Sequence, residues 1–372
     1  MKFDRRSVVI GGAAVLASGR AIARAREGTP DWFGKAIIID GLGDVGDPYR
    51  ADNDFRLSRR AWAEMSGSGV TVLRETVLPV GNVKDAWAEY RRSIADKLRM
   101  LIANPDRLRL IRSAADIESA KRDRRFGVLL GTQDTVMIGD QLDRLAQIKA
   151  DGVMTVQLTY NLRNLAGDGA LEPANSGLTP LGKAMVERIE TERLLLDLSH
   201  GGARTMAEAT ALAKRPLVIS HTGAKALHDH PRNTDDTTIR AVADKGGVVG
   251  VYFMPFLTAN GEPKASDLIA HIEHVANVAG EDHVGIGTDN GVLPLDRAAM
   301  DREDKTTEDR IKIGIAAPGE VVGIYPMVRD YNSIDRYARL AADLGKRGWS
   351  VARLEKLFGL NFLRTYRDAW GG

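Results

Sequence analysis

A chain of 372 residues with 44% hydrophobic content is long enough to bury one large core. Its 52 Lys and Arg against 50 Asp and Glu leave a formal charge of +2, and the densest basic cluster is only 121–125, which argues against nucleic acid or another polyanion as a partner. The absence of cysteine excludes disulfides, a thiol nucleophile, thiolate metal ligands and a lipidated N-terminal cysteine, so any metal must be held by histidine and oxygen ligands.

Residues 1–25 read as an export signal. Arg5-Arg6 precedes an apolar stretch at 8–17, and small residues at Ala21, Ala23 and Ala25 offer a cleavage site. The apolar run is too short for a stable membrane anchor. Asp4-Arg5-Arg6-Ser7-Val8-Val9 resembles the twin-arginine signal, which implies a periplasmic or otherwise exported protein; a general secretory signal is the alternative. Lys2, Arg5, Arg6, Arg20 and Arg24 against Asp4 give this segment +4, so its removal takes the chain from +2 to −2.

In the remaining 26–372, read as a single catalytic domain, short β-branched runs alternate with longer segments of helical period, the rhythm of βα units around a parallel sheet. Eight strands are expected, at 36–40, 70–75, 126–131, 153–158, 194–198, 217–220, 248–252 and 284–288. Helices are expected at 86–104, 142–150, 180–191, 203–213, 237–245 and 266–279. The charged stretch 296–310 reads as a long loop, and 333–344 and 351–358 as closing helices. Eight such repeats make an α/β fold of the (β/α)8 TIM-barrel type, with a doubly wound open sheet as the alternative. Several strands end in polar residues, which a barrel would gather at one face, where barrel enzymes place their active sites.

His200 and His221 each follow an apolar strand one βα unit apart, so neighbouring strands would present both imidazoles to a divalent metal; buried, backbone-bonded histidines are the alternative. Asp289 ends the last strand between Gly287 and Gly291, where a carboxylate could bind metal, carry a proton or merely cap a loop. Arg232 follows Pro231 on a stiffened loop and could clamp a substrate carboxylate or form a surface ion pair. His271 and His274 fall at helical spacing on a charged face and read as solvated. His283 precedes the last strand, at the end of the barrel away from chemistry.

Beyond these single residues, Ser176-Gly177-Leu178-Thr179-Pro180-Leu181-Gly182, the run from Leu194 to His200, Ser220-His221, Asp229-His230-Pro231-Arg232-Asn233, Gly246-Gly247-Val248-Val249, Asp282-His283-Val284-Gly285-Ile286-Gly287-Thr288-Asp289 and Phe358-Gly359-Leu360-Asn361-Phe362 follow one another in order. Together they resemble the signature blocks of the membrane (renal) dipeptidase family, from about Ile38 to the C-terminus. The resemblance implies an amidohydrolase-type barrel with two zinc ions, a bridging hydroxide that attacks a dipeptide, and often a homodimer. It implies His200 and His221 as ligands of the second metal, Asp289 as proton carrier, and Arg232 with Asn233 as substrate-binding residues.

The family's first metal is held by a His-x-Asp pair, and the matching positions here are Leu42 and Asp44. Its bridging glutamate is matched by Gln133, and its histidine near the scissile carbonyl by Tyr160, whose phenol could still donate a hydrogen bond. Two divalent ions would be poorly neutralised by Asp44, Asp289 and one hydroxide, so one zinc ion is expected, held by His200, His221 and either Asp289 or the Gln133 carbonyl; another divalent metal, or a site in which Leu42 and Gln133 make metal dispensable, is the alternative. Asp134 swinging in for the lost carboxylate is disfavoured by strand alternation. The expected function is therefore an exported hydrolase cleaving a dipeptide or related small amide. A metal-independent enzyme acting on a peptide-derived metabolite and a peptide-binding pseudoenzyme are the alternatives.

Overall fold

The computed structural model describes residues 29–371 save 52 and 82, so the export signal read at 1–25 lies outside the described residues. The strands, in chain order, are β1 (Ile39–Asp44), β2 (Val72–Val77), β3 (Leu108–Leu110), β4 (Phe126–Thr132), β5 (Val153–Gln157), β6 (Leu195–Asp197), β7 (Val218–Thr222), β8 (Val248–Val251), β9 (Val284–Ile286) and β10 (Asn290–Gly291). They pair in the order β10-β1-β2-β4-β5-β6-β7-β8-β9, with β3 added beside β4. All the pairings are parallel. Because β9 and β10 are two parts of one run broken at 287–289, the pairing of one with β8 and of the other with β1 closes eight staves into a barrel. The sequence places all eight staves; β3 and the helices Arg59–Gly67, Ala114–Asp123 and Asn361–Trp370 are additional.

Burial explains why the strands lack simple alternation. Every residue of β4 is buried, since one face meets the barrel interior and the other the surrounding helices. Helix starts follow capping chemistry: Thr179 accepts from Gly182 N at 2.9 Å ahead of Pro180, and Asp235 from Thr238 N at 2.9 Å. One end of the barrel is closed by the helix Asn361–Trp370, whose Phe362 and Tyr366 pack against Ile39, Val72, Leu129 and Val218. Asn361 Nδ2 ties that helix to the carbonyls of Glu281 and Val284, at the start of β9.

Inside the barrel, Arg74 and Asp197 form a buried pair at 3.2 Å, and Arg74 Nη2 donates to Thr132 O at 2.5 Å. Gly131 makes room for the guanidinium, since a Cβ there would lie 2.4 Å from Arg74 Nε. Arg74→Met would leave Asp197 buried without its counter-charge. Chemical unfolding is expected to show a loss of about 3–5 kcal/mol; an unchanged midpoint would contradict this role.

A second buried carboxylate predicts a pH effect. Asp40 accepts hydrogen bonds from Leu42 N, Thr288 N, Thr288 Oγ1 and Tyr337 Oη, yet burial dominates and pushes its pKa up to about 6. An acid with a raised folded-state pKa contributes most stability below its unfolded pKa and loses it as pH rises through the folded value. Stability from this group is therefore present below pH ~4 and lost through pH 6, a swing of up to about 3 kcal/mol. Asp40→Asn removes the charge, and the two hydroxyls can turn to donate or accept. Melting curves should show a shallower fall between pH 4.5 and 7.5 in the variant; parallel profiles would refute the assignment.

Two expectations are corrected. Residues 296–310 are not a loop: they form most of the helix Arg297–Lys312, capped by Asp296 on Ala299 N at 2.9 Å. Ion pairs one turn apart, Arg297–Asp301 at 2.9 Å and Lys305–Asp309 at 3.4 Å, support a helix with little apolar surface, which is why hydropathy misses it. His271 is not solvated but buried, with Nδ1 accepting from Ala224 N and Nε2 donating to Leu257 O, whereas His274 stays half-buried on Asp236. Among the described residues no helix is long and apolar enough to cross a membrane.

Candidate active site

The strand ends bring His200 and His221 together, their ring centroids 4.9 Å apart at 64°. His200 lies just past β6 and His221 within β7, and both are buried. Their hydrogen bonds fix the tautomers. Asn161 donates Nδ2 to Ile315 O at 2.7 Å, which leaves its Oδ1 to accept from His200 Nδ1 at 2.6 Å. Ser220 gives its single hydroxyl proton to Asp197 at 2.6 Å, so it accepts from His221 Nδ1 at 2.8 Å. Asp197 remains an acceptor throughout, also taking Ser199 N and Ser220 N at 3.0 Å each.

Both Nε2 atoms therefore carry a bare lone pair, and both are buried with no hydrogen-bond partner. Burial, reinforced by the charge of Arg232, holds both imidazoles well below their ordinary pKa, so they are neutral. Two neutral imidazoles with unpartnered lone pairs side by side suit a divalent cation far better than a proton. Among the described residues no group of three His, Asp or Glu is arranged as a ready ligand set, so the histidine pair is the fixed part of any such site.

The other expected site residues divide. Gln133, Tyr160, His200, Arg232 and Asp289 line one cavity of about 190 Å³. An adjoining cavity of about 650 Å³ shares Gln133, Tyr160 and Asp289 and adds Leu42 and Asp44. Gln133 Oε1 accepts from Thr76 Oγ1 at 3.0 Å. Asp44 is exposed, and on its side Lys97 pairs with Glu75 and also attracts Asp44. The Asp44 and Glu75 carboxylates thus face a lysine ammonium.

Asp289 joins the site at the barrel's closing seam, where its N–H donates to Leu42 O at 2.9 Å. Its φ of 57°, like the 62° of His200, lies in the left-handed region that non-glycine residues rarely occupy, and such strain gathers at functional positions. Burial pushes the Asp289 carboxyl up to about 7 against the opposing pull of Arg232 and Arg310.

Arg232 is buried, with Nη2 unpartnered, on a loop fixed from several sides. Thr222 Oγ1 donates to its carbonyl at 2.9 Å, and His230, stacked on Phe256 at 4.5 Å, accepts from Arg232 N and donates to Pro318 O. A buried guanidinium with free donor capacity is a strong anchor for a carboxylate. Asn233 corrects the expectation of a substrate contact. Its Nδ2 donates to His228 O and Phe256 O, and its Oδ1 accepts from Tyr252 Oη, so its amide hydrogens hold the loop.

Tyr160 stacks on His200 at 4.1 Å and accepts a hydrogen bond from Arg310 Nη1 at 2.5 Å. Sequence reasoning missed Arg310 because it lies in the stretch read as a loop. It also missed Asn161 and Ser220 as tautomer-fixing residues, although each adjoins a residue it named.

A family model described as membrane dipeptidase (peptidase family M19) matches residues 78–298. The structure superposes on an amidohydrolase from Pseudomonas aeruginosa with a TM-score of 0.80 and 29% identity, covering 92% of this chain and 99% of that one. A protein from the pqqA 5′ region of Klebsiella pneumoniae is 29% identical over 286 residues, 73% of this chain and 93% of that relative. Dipeptidase tcpJ of Claviceps purpurea is 26% identical over 274 residues, 73% of this chain, which spans 57% of that relative's length. The ordered sequence blocks, the closed parallel barrel and these matches agree: the chain belongs to the membrane dipeptidase family.

Proposed function

We propose that this protein hydrolyses a dipeptide or a similar small amide with a single divalent ion, zinc, held at His200 and His221. The paired, unpartnered Nε2 atoms carry this reading. When bound, the ion supplies Lewis acidity and lowers the pKa of water. One ion suits the site better than two, because Leu42 and Gln133 stand at two ligand positions of the family and Lys97 already faces Asp44 and Glu75.

The chain's own residues supply the rest. Arg232 binds the substrate's terminal carboxylate and orients the amide over the histidine pair. Tyr160 donates a hydrogen bond to the scissile carbonyl oxygen as negative charge develops there. Asp289 takes a proton from the attacking water and returns it to the departing amine, a task that suits a carboxyl with a pKa near neutrality.

The test is a panel of dipeptides, with both stereochemistries at the carboxyl-terminal residue, incubated with zinc-loaded protein and scored by release of free amino acids. Turnover abolished by a chelator and restored by zinc is expected. Binding without turnover would replace this reading with that of a peptide-binding pseudoenzyme, and turnover that survives complete metal removal would replace it with metal-independent chemistry. Export through the twin-arginine-like segment belongs to the same proposal. Arg5→Lys/Arg6→Lys is expected to retain the full-length chain in the cytoplasm, and unchanged export would remove that part.

A further inference from the structure

We propose that Arg310 is a positioning residue for Tyr160, fixing the phenolic oxygen as an acceptor and so turning its proton into the cavity, toward a carbonyl-type oxygen of the substrate. The identity of that substrate rests on the amide-hydrolase reading above; the pairing of the two side chains does not.

A guanidinium has no acceptor, so in the 2.5 Å contact Arg310 Nη1 donates and Tyr160 Oη accepts. The hydroxyl keeps one proton, and among the described residues no side chain or backbone group takes it. The ring cannot swing away readily. It is buried, it stacks on His200 at 4.1 Å and 23°, and the Arg310 guanidinium carbon lies 5.5 Å from its centroid. What remains open to the proton is the cavity that Tyr160 lines together with His200, Arg232 and Asp289.

Arg310 is itself held. Nε donates to Glu320 Oε2 at 2.8 Å and Nη2 to Glu320 Oε1 at 2.9 Å, a two-pronged arrangement that aims the third nitrogen at the phenol. A lysine would offer one ammonium and could not make the same fork. A cation donating to the phenolic oxygen also polarises the O–H, strengthening the bond it gives to a substrate oxygen. Arg310 lies near the end of the helix Arg297–Lys312, so its bond to Tyr160 also ties that helix to the segment that follows β5. Neither residue falls in the family blocks found in the sequence.

The test uses full-length protein carrying 13Cζ-labelled tyrosine, with the Tyr160 resonance identified by its loss in Tyr160→Phe. Arg310→Met is expected to move that resonance and leave the other tyrosines in place, and Glu320→Gln to move it less in the same direction. With a dipeptide that the wild type cleaves, Arg310→Met should lower kcat about tenfold and leave KM within about twofold. Arg310→Lys should recover part of that loss, and Arg310→Met/Tyr160→Phe should be no slower than Tyr160→Phe alone. An unmoved resonance, or losses that add in the double variant, would overturn the proposal. Should Arg310→Met not fold, Arg310→Lys and Glu320→Gln carry the same resonance test. If the wild type cleaves no dipeptide, the substrate reading falls separately, and the resonance decides the pairing: moved, the positioning role stands; unmoved, it does not.

Discussion

Asp289→Asn is expected to lower kcat for dipeptide hydrolysis by about 10²- to 10⁴-fold, the usual worth of a positioned acid-base group, with KM within about threefold. The substitution isolates proton transfer well. Asparagine is nearly the same size, and it tolerates the left-handed backbone that φ of 57° imposes better than most residues. The N–H bond to Leu42 O that closes the barrel seam is kept, because it belongs to the backbone. Steady-state kinetics at saturating substrate would check the result. A variant with near wild-type kcat would remove Asp289 from the reaction, and a rise in KM alone would reassign it to binding.

Arg232→Met should produce a loss of the opposite kind. The guanidinium is buried with an unpartnered nitrogen, so a substrate carboxylate meeting it would form a desolvated, charge-assisted bond. Truncating one partner of such a pair costs about 2–4 kcal/mol, roughly 30- to 1,000-fold in kcat/KM. The control is a dipeptide amide, which has no terminal carboxylate: the wild type should cleave it slowly, and Arg232→Met should slow it little further. Equal losses on the acid and the amide would mean that Arg232 supports the loop rather than the substrate. Methionine preserves the contact of the side-chain stem while removing the charge.

The barrel was legible because its strands are short, β-branched and bounded by polar ends, and because most staves are followed by a helix of clear amphipathic period, such as Pro180–Thr191 and Ala265–Ala279. Even the strand break at 287–289 leaves the eighth apolar run visible. The helix Arg297–Lys312 was not legible, since it buries only Ala299 and rests on charge pairs and a cap instead of an apolar stripe. That one misreading concealed Arg310.

Histidines showed the same limit. His200 and His221 declare themselves by following strands, but in sequence His271 looks the same as the half-buried His274, because its hydrogen-bond partners, Ala224 N and Leu257 O, lie on other elements. Asn233 sits beside Arg232 in a family block, and only the hydrogen bonds show that one holds the loop while the other faces the cavity. Tautomer control at His221 is likewise a property of contacts among Arg74, Asp197 and Ser220, which three separate strands supply.

The central claim, that His200 and His221 together hold one divalent ion, is tested most directly by zinc titration of the metal-stripped protein, read by calorimetry and by elemental analysis after gel filtration. About one zinc is expected to be retained per chain, and none in His200→Ala/His221→Ala at the same free zinc concentration. Two tightly held ions per chain, or no ion in the wild type, would contradict it.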